Sequence, residues 1–272
     1  MKKKVAVIIP VYNAESTIIK SLESVRLQTY GAEHFQIIVV NDGSTDESSS
    51  IIKNYIHNHS ELNIQLIEQE NGGVSKARNT ALKVADADYI ALLDADDQWL
   101  PEKIEKQTDY FENKNFAIDF LACKRTQQKL LYPYTPNRNH LAEITFRKLL
   151  IRNEAQPSSV IFKRKVLKNA GFFSSNQRYA EDINYWLKVS LHYKMYILDE
   201  ELIFAGDGKR TFGISGLSAN LQEMEKGFHK NLNDMYLLKK INFVEFQLYS
   251  VFYHAKYAFR LLRDQYLKLL GK

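Results

Sequence analysis

Residues 5–13 read Val5-Ala6-Val7-Ile8-Ile9-Pro10-Val11-Tyr12-Asn13, an apolar, mostly β-branched run that ends abruptly in a polar turn. So short and apolar a run predicts a strand buried on both faces, as inside a parallel sheet. Further runs at Ile37–Val40, Ile64–Ile67 and Tyr89–Leu93 start 32, 27 and 25 residues apart, the spacing of strand–helix–strand units. Segments of helical character lie between them at Glu15–Leu27, Thr45–Ile56 and Ser75–Val84. Val74, Ala77, Ala81 and Val84 recur near helical spacing in the last. The expected fold class is α/β: a Rossmann-like, mostly parallel sheet flanked by helices.

Each run ends in a polar cluster: Tyr12-Asn13, Asn41-Asp42-Gly43-Ser44-Thr45-Asp46, Asn71-Gly72-Gly73 and Asp94-Ala95-Asp96-Asp97. Ligands of open α/β sheets bind at the carboxyl ends of strands, so four such clusters describe one site. Turn chemistry alone explains Asp42-Gly43. It does not explain Asp94–Asp97, where three carboxylates repel one another unless a cation or proton intervenes. The first glycine of the chain is Gly31, so no glycine-rich cradle follows the first strand. That excludes the dinucleotide fingerprint and the P-loop. Phosphates are expected instead on a metal held by the Asp-x-Asp, whose hard oxygens suit Mg²⁺ or Mn²⁺.

Ile8–Asn13, Asn41–Asp46, Asn71-Gly72-Gly73-Val74-Ser75-Lys76-Ala77-Arg78-Asn79 and Leu93–Asp97 together resemble the signature blocks of glycosyltransferase family 2, in order and spacing. The likeness is strong over residues 3–115 and patchier to 218. It implies a GT-A fold, a nucleotide-sugar donor with UDP as the first expectation, and a divalent metal. By that resemblance the backbone of Pro10, Val11, Tyr12 and Asn13, with Glu15 and Asp42, holds base and ribose. Asn71, Lys76, Arg78 and Ala95 join the same nucleotide-sugar set. Asp94 lies near ribose and diphosphate and also serves the metal, which rests chiefly on Asp96.

Further along, Ala170-Gly171-Phe172-Phe173 and Glu181-Asp182-Ile183-Asn184-Tyr185-Trp186 resemble the family's Gly-Phe and Glu-Asp-x-x-x-Trp blocks. A sugar hydroxyl attacks poorly until a carboxylate accepts its proton. Asp182 is the first candidate for that base and Glu181 the second. Both open an expected helix, Glu181 to Leu191, whose N-terminal dipole favours ionised carboxylate; helix capping alone would also place acids there. Two departures stand out. Ser174 occupies a position where many members carry Asp, and Lys209–Ser218 lacks the histidine of the family's Arg-x-His element. Either Lys209 or Arg210 substitutes for it at the diphosphate, or the stretch is an ordered loop with no catalytic part. Gly206, Gly208, Gly213 and Gly216 in this region fit either a mobile lid or plain turns.

The expected organisation is a donor half over residues 1–115, an acceptor half over 116–217 and a helical extension over 218–272. The net charge of +5 resides in residues 239–272, leaving a neutral body unlike a nucleic-acid-binding domain. In that tail Ile241, Val244, Leu248, Val251, Phe252, Ala255, Phe259, Leu262, Tyr266 and Leu269 mark one helical face, with Lys256, Arg260, Arg263 and Lys268 largely off it. Such a helix can lie on an anionic membrane, pack on the catalytic domain, or pair two copies in a homodimer. The single cysteine, Cys123, rules out a disulfide framework and is expected to be buried. A cytoplasmic enzyme, peripheral at the inner membrane face, fits these features.

The reaction so implied is inverting transfer of a sugar to a hydroxyl of a glycan or lipid-linked glycan, in cell-surface polysaccharide synthesis. A sugar-phosphate nucleotidyltransferase would need a glycine-rich, Arg-containing loop where Pro10–Glu15 stands. An inactive nucleotide-sugar-binding or glycan-binding module would not need Asp42, Asp94, Asp96 and Asp182 together. Histidines at 34, 57, 59, 140, 192, 229 and 254 show no metal-ligand spacing beyond His57-x-His59. Trp99 is expected to pack at a helix start, with Pro101 in that helix's first position.

Overall fold

The computed structural model describes residues 2–205 and 217–269. They pack as two compact units: residues 2–175 with 185–205, and residues 176–184 with 217–269. The expected donor half falls within the first unit and the described part of the expected extension within the second. The stretch 116–217 is divided between them.

In the first unit the four runs become β1 (Val5–Val11), β2 (Phe35–Asp42), β3 (Ile64–Gln69) and β4 (Tyr89–Leu92). Helices α1 (Ile18–Arg26), α2 (Ser48–Asn58) and α3 (Val74–Val84) connect them. Then follow β5 (Gln98–Trp99), α4 (Lys103–Glu112), β6 (Phe120–Arg125), β7 (Leu141–Ile144), α5 (Phe146–Ile151), β8 (Ile161–Lys163) and α6 (Val166–Ala170). The start of α7 (Glu181–Ser190) belongs to the second unit, and its remainder, with β9 (Met195–Phe204), to the first. Sheet order is β3-β2-β1-β4-β8-β6-β9-β5, with β7 paired to β9. β8 runs antiparallel to both β4 and β6, and β6 parallel to β9. β6 and β9 therefore share the direction of β1 to β4, and the sheet is mostly parallel as expected.

Burial explains the apolar runs. Every residue of β1 is buried. Val5, Val7, Ile9 and Val11 pack with Ile18 and Leu22 of α1, Ile52 of α2 and Ile104 of α4. The alternate residues Ala6 and Ile8 point to the opposite face, and α3 packs on β1 and β2. Pro10 sits in the middle of this sheet without cost. The Leu93 amide donates to the Ile8 carbonyl at 3.0 Å, and the β4 ladder stops at Leu92. Pro10, two residues on, faces that same side where no ladder partner remains to want its missing N–H.

Trp99 packs at the start of α4 as expected, and Pro101 corrects the expectation. Trp99 lies in β5, buried, its Nε1 donating to the Ser158 carbonyl at 2.8 Å. Glu102 stands at the N-cap position of α4 without a side-chain capping bond, so Pro101 precedes the helix in a turn. The first residue of α4 is instead Lys103, fully buried, its Nζ 4.3 Å from the centre of the Trp99 ring. Burial pulls its pKa down to about 8. Below that pH the folded chain carries a desolvated charge that the unfolded chain keeps in water. Between about 8 and the ordinary lysine value near 10.4 the unfolded state binds more protons, and stability rises with pH. Lys103→Met should therefore stabilise at pH 7 by about 1–2 kcal/mol, once loss of the cation–π contact is subtracted. Thermal melts at pH 7 and pH 10 check this: the gain should shrink at the higher pH.

In the second unit, α8 (Leu221–Leu237) packs against α9 (Phe243–Leu269). The face of α9 towards α8 carries Phe246, whose ring lies 5.1 Å from Tyr236, and buried Tyr253, 6.0 Å from Phe228. The apolar stripe lies elsewhere. Val244, Leu248, Val251, Phe259, Leu262 and Tyr266 are 61% to 67% exposed. Arg260, expected among the surface cations, turns inward with its guanidinium 4.8 Å from the Phe228 ring.

Candidate active site

The carboxyl ends of β1 and β2 are laced together by side chains bonded to backbone. The Asn13 amide donates to Ser44 Oγ at 3.0 Å, and the Thr45 amide to Asn13 Oδ1 at 2.8 Å. Glu15 exchanges with the next loop: its amide donates to Asp46 Oδ2 (3.1 Å) and its own Oε2 accepts from the Glu47 amide (3.0 Å). Asn13 sits at φ 50°, which Asn tolerates better than most side chains. These bonds hold the Pro10–Asn13 backbone in place and leave the Tyr12 ring exposed.

Asp42 is buried and directed to the third strand end. Its Oδ1 accepts from Gln69 Nε2 (2.6 Å) and the Gly72 amide (3.0 Å), and its Oδ2 from the Gly73 amide (2.7 Å). Glycine is required on both sides of this clamp. Gly73 has φ 84°, and a Cβ on Gly43, at φ 71°, would meet the Asn71 backbone nitrogen at 2.7 Å. Asn71 and Lys76 are exposed beside this turn.

The acidic turn is pinned from two distant places. Ser21 of α1 shares its hydroxyl proton between the carbonyls of Ala95 (2.9 Å) and Asp97 (2.7 Å). Ser158, in a single 3₁₀ turn before β8, accepts from the Asp94 amide at 3.0 Å and donates to the Asp97 carboxylate. Arg78, nearly fully buried, donates from Nη2 to Asp94 Oδ1 at 2.7 Å, its guanidinium 5.4 Å from the Phe173 ring. Phe173 in turn exchanges two backbone bonds with the Asn79 amide, at 2.8 and 2.9 Å. Of the three acids Asp97 is buried, Asp94 is 30% exposed, and Asp96 is exposed. One exposed and one half-exposed carboxylate in a fixed turn fit a Mg²⁺ or Mn²⁺ ion, which keeps most of its shell for phosphate and water.

Ser21, Ser158, Asn79 and Phe173 are the positioning residues that sequence reading passed over. A serine in a helix or turn carries no pattern until its partner is known. Asn79 and Phe173 stood inside recognised blocks without a role.

Glu181 and Asp182 open α7 in the second unit. Ala180, at φ 54°, reverses the chain before them. Its carbonyl accepts from the Asn184 amide (3.2 Å) and from Asn231 Nδ2 (2.9 Å), while Asn231 Oδ1 accepts from Asn184 Nδ2 (3.0 Å). Glu181 is buried and Asp182 half-buried. Gly227 of α8 makes the fit possible, because a Cβ there would stand 2.4 Å from the Tyr179 carbonyl oxygen. Gly227→Ala should cost about 1–3 kcal/mol through overpacking, despite alanine's better helix propensity. Urea unfolding measures that loss. Lys209 and Arg210, with all four glycines of the expected lid, lie outside the described residues.

A family model described as Glycosyl transferase family 2 matches residues 6–171, more than half of the chain. The chain belongs to glycosyltransferase family 2. An uncharacterised glycosyltransferase of Rickettsia bellii is 34% identical over 187 residues, 69% of this family 2 chain but 26% of its own length. The minor teichoic acid biosynthesis protein GgaB of Bacillus subtilis is 40% identical over 117 residues, 43% of this chain and 13% of its own. The chain thus spans about a quarter or less of these two relatives. Among solved structures, Staphylococcus aureus TarS in complex with UDP-GlcNAc superposes with a TM-score of 0.68 at 22% identity, covering 92% of this chain and 71% of that one. The mannosyltransferase PcManGT of Pyrobaculum calidifontis, with GDP-Man and Mn²⁺, gives 0.67 at 20% identity, covering 87% and 65%. Both likenesses establish the GT-A fold of this family 2 glycosyltransferase. No helix among the described residues is long and apolar enough to cross a membrane.

Proposed function

We propose that this chain is an inverting glycosyltransferase that moves a sugar from a nucleotide-sugar, first a UDP-sugar, to a hydroxyl of a glycan or lipid-linked glycan in cell-surface polysaccharide synthesis. The observation that carries the reading is the pinned acidic turn, with Asp96 exposed and Arg78 buried against Asp94. The bound UDP-GlcNAc and GDP-Man of the two structural neighbours support the donor class.

In this reading the Pro10–Asn13 backbone, Glu15, Asp42 and Asn71 receive base and ribose. Asp42 already spends three acceptor positions on Gln69, Gly72 and Gly73, so it acts chiefly by shaping the turn. Lys76, exposed and flexible, reaches for phosphate, and Arg78 holds Asp94 in one orientation. A divalent cation held by Asp96 and Asp94 supplies positive charge where the diphosphate departs. Asp182 takes the proton of the attacking hydroxyl, and Glu181 is its alternate. The exposed stripe of α9 supports a peripheral position at an anionic inner membrane face, with self-association as the competing use of the same surface.

Screening nucleotide-sugars for nucleoside diphosphate release tests the reading, with Mg²⁺ or Mn²⁺ and with or without glycan acceptors. One donor class should release diphosphate in a metal-dependent, acceptor-stimulated way. No release from any donor with either ion would overturn it.

A further inference from the structure

Beyond His57-x-His59 the histidines show no ligand spacing among themselves along the chain, but His229 and His254 meet in space. Glu225 and His229 are one helical turn apart on α8, so their side chains leave the same face. His254 arrives from α9. His229 Nε2 lies 3.1 Å from Glu225 Oε1, and His254 Nδ1 lies 3.8 Å from that same oxygen. One ligand atom from each of the three residues falls within a mutual distance of 4.8 Å. The two imidazole rings stand 4.4 Å apart.

We propose that Glu225, His229 and His254 form a second metal site, for a first-row transition-metal dication such as Zn²⁺, that clips α8 to α9. It lies within the second unit and does not depend on the glycosyltransferase reading.

Three observations carry it. Ligands about 2.0–2.1 Å from a tetrahedral ion stand about 3.3 Å from one another, and the separations of 3.1 and 3.8 Å bracket that value. The Glu225 side chain is only 9% exposed, and its Oε2 is buried and accepts no hydrogen bond. Arg260, 4.0 Å away, reaches this oxygen as an ion pair without a hydrogen bond, so a cation on Oε1 would add to the compensation of a buried charge. Its two oxygens also have separate surroundings: Oε1 faces both imidazoles, while Oε2 faces Arg260 Nη1 at 4.0 Å. Arg260 thereby occupies the Oε2 side and leaves Oε1 to the two imidazoles. The same guanidinium charge opposes the incoming cation and sets a limit on affinity. His254 is 69% exposed, which leaves the fourth position open to water.

The donor set separates this site from the acidic turn. Two imidazole nitrogens and one carboxylate oxygen suit Zn²⁺, Ni²⁺ or Co²⁺, whereas Asp94 and Asp96 offer hard oxygens alone.

The test uses the full, untagged chain, freed of metal by a chelator and titrated with Zn²⁺ in a large excess of Mg²⁺. Calorimetry should show one Zn²⁺ equivalent, and the loaded chain should melt at higher temperature. Co²⁺ in place of Zn²⁺ should give visible absorption bands of a low-coordinate nitrogen–oxygen site. His254→Ala changes an exposed residue and should fold normally, yet weaken Zn²⁺ binding by at least about 10²-fold, since even an outer-shell partner is worth about 10–100-fold. His229→Ala and Glu225→Gln should do the same. Absence of stoichiometric Zn²⁺ uptake overturns the proposal. So does uptake that is unchanged in both His254→Ala and His229→Ala, which would put the ion elsewhere. None of these readouts requires turnover, so a failed donor screen leaves the result interpretable.

Discussion

Asp182→Asn should lower sugar transfer by at least about 10²-fold while nucleotide affinity stays nearly unchanged. Asparagine keeps the shape of the side chain but cannot accept a proton, and a positioned general base contributes about 10²–10⁴-fold. The site of the exchange is well suited to this test. Asn231 Nδ2 and the Asn184 backbone amide both bind the Ala180 carbonyl and so help to hold the first turn of α7 in the variant. Its half-buried position, beside a buried Glu181, favours Asp182 as the carboxylate that an acceptor can reach. Transfer rates and nucleotide titrations on the same preparations separate the outcomes. Retained transfer in Asp182→Asn with a dead Glu181→Gln would move the role to Glu181. Loss of nucleotide affinity as well would make Asp182 structural.

Asp96→Ala should abolish most turnover, by about 10²-fold or more, and EDTA should silence the wild type reversibly. The reason is the division of labour among the three acids. Asp97 is bound to Ser158 and Asp94 to Arg78, which leaves Asp96 as the most exposed carboxylate of the turn. An interaction worth several kcal/mol to the departing diphosphate corresponds to at least two powers of ten in rate. Initial rates across a Mn²⁺ titration provide the measurement, with the variant needing far more ion for any activity. Full turnover of the wild type in EDTA would refute the metal assignment.

The amino-acid pattern was most informative where one physical constraint dominated. A parallel strand buried on both faces must be apolar throughout, so Val5–Val11 was legible to the residue, and β2 and β4 nearly so, whereas β3 is a half-buried edge strand. The strand-end clusters were legible because turn residues stop apolar runs. Later strands were harder to see: β5, β7 and β8 span two to four residues, too few for alternation to register. Pro101 misled because proline also precedes helices by two residues, with Glu102 taking the cap. The tail showed its apolar stripe but not its packing, since the aromatic face with Phe246 and Tyr253 met α8 instead. Ser21 and Ser158 were invisible for a different reason. Their importance lies wholly in partners 74 and 64 residues away.

Those two serines bear on the order in which the molecule assembles. Bonds between the first strand ends span 27 to 32 residues, such as Asn13 to Ser44 and Asp42 to Gly73, and close early as neighbouring βα units pair. The acidic turn waits for a more distant segment. During synthesis from the N-terminus, Asp94 and Asp97 have no Ser158 to hold them until residue 158 has emerged and the antiparallel β8 has docked on β4. A fragment ending at residue 115 would keep β1 to β4 and all three acids of the turn, yet lack the Ser158 hydroxyl that bonds two of them. Residues 1–115 are continuous in sequence, but the fixed form of their acidic turn is a late product of folding.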